Sequence, residues 1–288
     1  MNAAVVNPPV LSAASMPART IVHRTRGTVH GPITRLVSPG DLGQLIKPFV
    51  FLDHVVADDP AGMAGFGMHP HSGIATLTYL FQGDSSYEDT TGQSGVFQAG
   101  GVEWMRAGNG VWHTGGPVAG SPLRGFQLWV ALPVATENAP AQSHYLTPEE
   151  IPQDGPARVL LGQYGAACSN ITAPAPINYL AVNLTDQQRW RYTPPDGHTV
   201  AWVAVSMGQL DAGGPVRTGE LAVFDESGGA IDFVAQGSTQ FVLGSAVKHP
   251  HELVMGRYSV HTNAATLVQG EAEIRRIGVQ LQQRKRQG

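Results

Sequence analysis

Chain punctuation is the strongest constraint on what this sequence can fold into. Short runs rich in β-branched and aromatic residues recur along it, among them "PFVFLDHVV", "IATLTYLF", "GFQLWVALP", "INYLAVNL", "TVAWVAVSMG" and "STQFVLGSA". Each is bounded by Gly, Pro, Asp or Asn. The breaks come from 35 Gly and 21 Pro in 288 residues, too many for a helical bundle. Gly supplies the positive φ of tight turns and Pro pre-sets their first corner, so this punctuation fits many short strands. The run Ile74–Phe81 shows what kind of sheet they build. Ile74, Thr76, Thr78 and Leu80 alternate with Ala75, Leu77, Tyr79 and Phe81, and both sets are largely apolar. A strand covered on both faces belongs inside a sandwich. Apolar residues make up 42% of the chain, enough for such a core, while only 14% are charged, so the surface leans on Ser, Thr, Gln, Asn and Gly.

The polar, Pro-rich stretch from about residue 133 to 157 reads as a crossing between two halves, 18–135 and 136–288. The second half repeats the strand rhythm of the first without matching its residues, which is weak evidence for an internal repeat of architecture. Residues 1–17 carry no Lys or Arg ahead of their apolar residues and are broken by prolines, so they read as a disordered leader rather than a secretory signal. No run of about 18 apolar residues exists. The expectation is a soluble, cytoplasmic protein. Cys168 is the only cysteine, which excludes an internal disulfide. A net charge of −4 without a basic block argues against direct nucleic-acid binding. The end, "GEAEIRRIGVQLQQRKRQG", predicts a short helix with Ile274, Ile277 and Leu281 on one face. Glu271 and Glu273 near its start and Arg284, Lys285 and Arg286 near its end suit a helix dipole better than a nucleic-acid tail.

Chemistry concentrates in the histidines. In "GMHPHSGIATLTYLFQG", His69 and His71 flank Pro70 at the head of a strand. Alternate strand residues share a face about 6 to 7 Å apart, and two imidazoles so placed can reach one metal at about 2.0–2.1 Å each. The third ligand should come from a nearby strand. His113, after the Gly-rich turn "AGNGVW", is the candidate. On spacing alone the alternative stands beside it: three polar residues around a barrel opening. A second His-Pro-His, His249-Pro250-His251, has only His261 near it in sequence and is not expected to hold a metal.

The surroundings of the first pair are more specific. His69-Pro70-His71-Ser72-Gly73, Thr78-Tyr79, Gly83, Asp89, Gly92, Trp104-Met105, Ala107-Gly108, Gly110 and His113 follow one another in an order that resembles the pirin family of the cupin superfamily, and "PFVFLDHV" upstream resembles the same family. The dense likeness covers about residues 46–117. It implies an all-β fold of two cupin-like β-sandwich (jelly-roll) domains with a short C-terminal helix, the first domain holding one divalent transition metal, Fe(II) by resemblance, and the second metal-free. The implied His ligands fall on His69, His71 and His113. The family's Glu ligand falls on Gly115, and a further frequent Glu falls on Ala75, so two carboxylates expected near the metal are missing. Glu103 stands where the family usually has Gln; it is the candidate to assist as ligand or base, or else a rim residue. His54, in the "LDH" segment, is read as a strand-end packing residue or a support for the site.

Three neutral imidazoles would leave the metal's charge uncompensated, which favours an anionic, bidentate ligand. Two functions follow from the resemblance. One is a quercetin 2,3-dioxygenase-like oxygenase acting on a small chelating phenol or enol. The other is a non-catalytic regulatory protein that binds a transcription factor or metabolic enzyme. A metal-free relative is the third possibility.

Overall fold

The computed structural model describes residues 18–58, 65–118 and 122–287; the expected leader, 1–17, lies outside the described residues. The punctuated runs form strands. Between residues 21 and 146 these are β1 (Ile21–Thr25), β2 (Thr28–His30), β3 (Ile33–Val37), β4 (Phe49–Ala57), β5 (Phe66–His71), β6 (Ile74–Gln82), β7 (Ser85–Asp89), β8 (Ser94–Phe97), β9 (Val102–Arg106), β10 (Val111–Pro117), β11 (Leu123–Ala131) and β12 (Gln142–Leu146), with a short helix α1 (Leu42–Ile46) before β4. Among the described residues they build a seven-stranded sheet in the order β12-β9-β6-β11-β4-β3-β2 and a four-stranded sheet in the order β5-β10-β7-β8. Among the described residues the second half supplies eight strands of a nine-stranded sheet, built around the long strands Ile177–Leu184, Val200–Asp211 and Ile231–Ala246, and β1 is the ninth. The fold is all-β, two cupin-like sandwiches with a C-terminal helix.

The seven-stranded sheet is covered on both faces, and β6 shows how. Ala75, Leu77 and Tyr79 join Phe49, Trp104 and Phe126 in one buried cluster with Tyr179, Trp202 and Val223 of the second half. Phe49 meets Trp202 edge-on with ring centroids 5.3 Å apart. The alternate residue Ile74 packs with Phe51, Met105, Val111 and Trp129 toward the four-stranded sheet. The period-2 alternation therefore separates the junction between the halves from the interior of the first half.

Segments cross the boundary at residue 135 in both directions. β1 pairs with Leu221–Phe224 of the second half, and β12 pairs with β9 of the first. The C-terminal helix α2 (Ala264–Gln287) docks on the first half, where its Ile274 carbonyl accepts a 2.9 Å bond from Trp112 Nε1. At 24 residues this helix is longer than the short one expected, because it starts at Ala264. Asn263 caps it, its Oδ1 accepting the N–H groups of Ala265 and Thr266 at 3.0 Å each. Glu271 and Glu273 thus lie beyond the first turn and instead pair with Arg275 and Arg276. No helix among the described residues is long and apolar enough to cross a membrane.

Candidate metal centre

Strands β5 and β10 run antiparallel, with Val111 opposite His71 and His113 opposite His69. Alternation along β5 turns His69 and His71 to one face, and the register brings His113 across from them. The ring centroids are 5.0 Å apart for His69–His71, 4.4 Å for His69–His113 and 5.0 Å for His71–His113. One nitrogen from each ring lies within 4.8 Å of the others. The Nδ1 side of two rings is already engaged: His69 Nδ1 lies 2.8 Å from the Gly67 carbonyl and His71 Nδ1 3.1 Å from the Tyr258 carbonyl. A carbonyl can only accept, so each Nδ1 carries the proton and each Nε2 offers a lone pair. His71 Nε2 and His113 Nε2 are buried with no hydrogen-bond partner. Burial, and then the neighbouring His113, lowers His69 to about 4; burial, then His113 and His69, holds His71 well below its ordinary value. A neutral imidazole with a buried, unpartnered Nε2, as at His71, is the form that binds a metal ion. The residues present fit such an ion.

Glu103 sits on the Nδ1 side of His113, with 3.6 Å between Oε1 and that nitrogen. That is too long for a hydrogen bond but close enough to orient the ring by charge. Glu103 begins a row across the seven-stranded sheet. It pairs with Thr78, Thr78 with Gln127, Gln127 with Asp53 and Asp53 with Arg35. Glu103, Thr78, Gln127 and Asp53 line a cavity of about 680 Å³, open mouth included, whose other wall carries His69 and His113. Thr78 Oγ1 is buried without a partner. Asp53 is held through both carboxylate oxygens by Arg35, from Nε and, at 3.0 Å, from Nη2.

The two missing carboxylates prove unequal. Gly115 borders the cavity, but a Cβ added there would lie 2.8 Å from the Ser86 carbonyl oxygen. Ala75 is fully buried in the cluster between the halves, on the opposite face of β6 from the cavity, so no side chain there could approach the imidazoles. The expectation of a carboxylate near the metal from that position is therefore corrected by the alternation of the strand. His54 also faces the junction: its ring stacks on Phe126 at 4.6 Å and its Nε2 lies 3.2 Å from Ser206 Oγ. It packs between the halves and does not support the imidazoles.

The second His-Pro-His lies outside any strand. Its rings stand 5.6 Å apart, His249 buried and His251 exposed, and no third ligand joins them among the described residues. His261 instead lies 3.3 Å from Glu137. Tyr258, whose carbonyl engages His71, and the row Thr78–Gln127–Asp53 went unnoticed in the sequence. Tyr258 carries no motif at all, and the row appears only once strand order and register are known.

The sequence model of the pirin family matches residues 32–130. A putative quercetin 2,3-dioxygenase of Vibrio cholerae is 36% identical over 194 residues, covering 62% of this chain and 67% of that protein. Pirin of Rattus norvegicus is 30% identical over 212 residues, covering 70% of this chain and 69% of pirin. Among solved structures, a quercetin 2,3-dioxygenase from Acinetobacter baumannii superposes with a TM-score of 0.81 at 24% identity, over 90% of this chain and 98% of its own. A bacterial pirin from Escherichia coli in complex with nickel(II) superposes with a TM-score of 0.63 at 18% identity, over 77% and 94% of the two chains.

Proposed function

The chain belongs to the pirin family, and from that premise we propose that it is a metal-dependent oxygenase of the quercetin 2,3-dioxygenase kind. One divalent transition metal would be held by His69, His71 and His113, with a small chelating phenol or enol as substrate. The observation that carries the reading is the convergence of three imidazoles, His71 and His113 buried and His69 half-buried, with His69 and His113 on the wall of a cavity and Nδ1 of His69 and His71 committed to carbonyls. Iron(II) is the metal we assign, by likeness to the family; the nickel(II) complex of the Escherichia coli pirin makes nickel the second ion to test.

A metal held by His69, His71 and His113 would supply Lewis acidity toward a chelating hydroxyl and carbonyl. The rest falls to the chain's own residues. Three neutral ligands bring no charge of their own, so an anionic, bidentate substrate is the partner that balances the site. Of the two carboxylates on the cavity wall, Asp53 has both oxygens on Arg35. Glu103 is left to accept the proton of the substrate hydroxyl. Thr78 and Gln127 offer polar contacts along an otherwise mostly apolar wall, which suits a flat, hydroxylated ring. We place the protein in a reducing cytoplasm, where the exposed Cys168 remains a thiol.

Gly115 favours a second reading. With no carboxylate at that position, the same site could set a surface for a transcription factor or metabolic enzyme without turnover. Metal analysis of the purified protein and of His113→Ala comes first: near-stoichiometric metal lost in the variant is expected, and no metal in the wild type would sink both metal readings. Oxygen consumption with quercetin and with a β-diketone then separates them. Metal bound without uptake on either substrate leaves the regulatory reading.

A further inference from the structure

The first half does not hold its imidazoles unaided. The segment after the second His-Pro-His returns across the chain just past His71. Ser72 bridges in parallel to Ser259, and Val260 N donates to the Ser72 carbonyl at 3.3 Å. Gly73 permits this closeness: at φ +73 it carries no Cβ, and an added one would sit 2.1 Å from the Val260 carbonyl oxygen. In this arrangement the Tyr258 carbonyl accepts from His71 Nδ1 at 3.1 Å, and the Tyr258 ring stands 6.3 Å from that of His69 and 6.4 Å from that of His71.

A buried polar chain fastens the segment. Ser72 Oγ lies 2.9 Å from both Ser259 Oγ and His261 Nε2. His261 Nδ1 is 3.3 Å from Glu137 Oε2, and Glu137 accepts from Thr262 N and Thr262 Oγ1 at 2.7 Å each. Ser72, Glu137, Ser259 and His261 are all at most 2% exposed. The order Ser–His–acid imitates a hydrolase triad, but the hydroxyl is sealed. Helix α2 places Gly270 directly over it, so close that a Cβ there would lie 2.5 Å from Ser72 Oγ and 2.8 Å from His261 Nε2. Over the next two turns the same helix holds Trp112, the residue before His113: Trp112 Nε1 donates to the Ile274 carbonyl, and a Cβ on Gly278 would sit 2.8 Å from the indole.

We propose that residues 258–278 are a structural part of the metal centre, with Ser72, Glu137, His261 and Trp112 as positioning residues that hold His71 and His113 through the C-terminal segment. The proposal rests on the three-His site but not on the oxygenase reading. Its physical basis is the orientation of metal-binding imidazoles by hydrogen bonds to their other nitrogen; loss of such partners typically costs about 10- to 100-fold in metal affinity. His261→Ala removes the clasp, Trp112→Phe removes the bond to α2, and Val182→Ala in the interior of the second half serves as a destabilised control. Nickel(II) affinity is measured by competition with a chromophoric chelator, and the tautomer of His71 by imidazole ¹⁵N shifts in metal-free protein. His261→Ala and Trp112→Phe are expected to weaken nickel binding by about 10- to 100-fold. His261→Ala is also expected to turn a single Nδ1–H tautomer of His71 into a mixture, with Val182→Ala changing neither. Should His261→Ala fail to fold, Glu137→Gln keeps the size, loses the charge and carries the same expectation. Unchanged affinity with an unchanged tautomer, or an equal loss in Val182→Ala, overturns the proposal. If the wild type binds no metal the oxygenase reading falls, and the tautomer alone decides this one.

Discussion

Gly115 offers the sharpest test of how this site came to lack a carboxylate. It follows His113 by two on β10 and stands opposite Tyr87 of β7, and a Cβ built there would lie 2.8 Å from the Ser86 carbonyl oxygen. That is roughly 0.7 Å inside ordinary contact. The neighbour is backbone, not the end of a flexible side chain, so relief requires β7 and β10 to part slightly along their ladder. Such overpacking costs about 1–3 kcal/mol, and at this chain length each kcal/mol lowers Tm by about 2–4 °C. Gly115→Ala is therefore expected to melt about 2–12 °C below the wild type in metal-free buffer. Gly115→Glu should melt lower still, because it adds a third carboxylate to a cavity already lined by Asp53 and Glu103. Nickel(II) at a hundredfold excess over a variant's own Kd adds about 2.7 kcal/mol whatever the ligand set, so the fourth ligand shows as a larger rise in Tm for Gly115→Glu than for Gly115→Ala at one fixed nickel(II) concentration. Differential scanning calorimetry with and without the ion reads all three quantities. Gly115→Ala melting at or above the wild type would refute the crowding argument.

Glu103→Gln, nearly isosteric, is expected to lower metal affinity by about 10- to 100-fold at unchanged Tm if the carboxylate orients His113; chelator competition checks it, and unchanged affinity removes that role. Ala75→Glu buries an unpaired carboxylate between the halves and should cost about 3–5 kcal/mol without any gain in metal binding, read by denaturant unfolding; a tighter site would refute the facing assigned to β6. Burial, then the charge of Arg124, lowers His54 to about 4 in the folded chain, whereas the unfolded residue titrates near ~6.5. Between these values the unfolded state binds the extra proton, so stability is full above ~6.5, falls with pH and levels off below ~4, a loss of about 3 kcal/mol. His54→Gln should remove that share of the slope in urea titrations from pH 7 to 4, and an identical slope in the variant would sink the assignment.

Glu103 and Ala75 show where reading along the chain stops. Strand alternation gives the spacing of side chains on either face, but it cannot say which face is the cavity. Only the packing of the seven-stranded sheet against two different partners turned Ala75 toward Trp202 and Thr78 toward the imidazoles. Likewise "GGVEWMRAGNGVWHTGG" is legible as strand, turn, strand, yet β9 and β10 enter different sheets. Glu103 consequently reaches His113 across the cavity, from the opposite sheet.

What the sequence determined by itself is what local physics encodes. Gly and Pro breaks with period-2 runs dictate an all-β chain, and alternation puts His69 and His71 on one face. The order of motifs around them supplies His113. What only the tertiary structure decided depends on long-range register. The row Glu103–Thr78–Gln127–Asp53 comes from four strands of one sheet. The carbonyl that fixes His71 belongs to Tyr258, 187 positions away. A backbone carbonyl is present at every residue, so no pattern of side chains marks the one that a fold will bring to an imidazole.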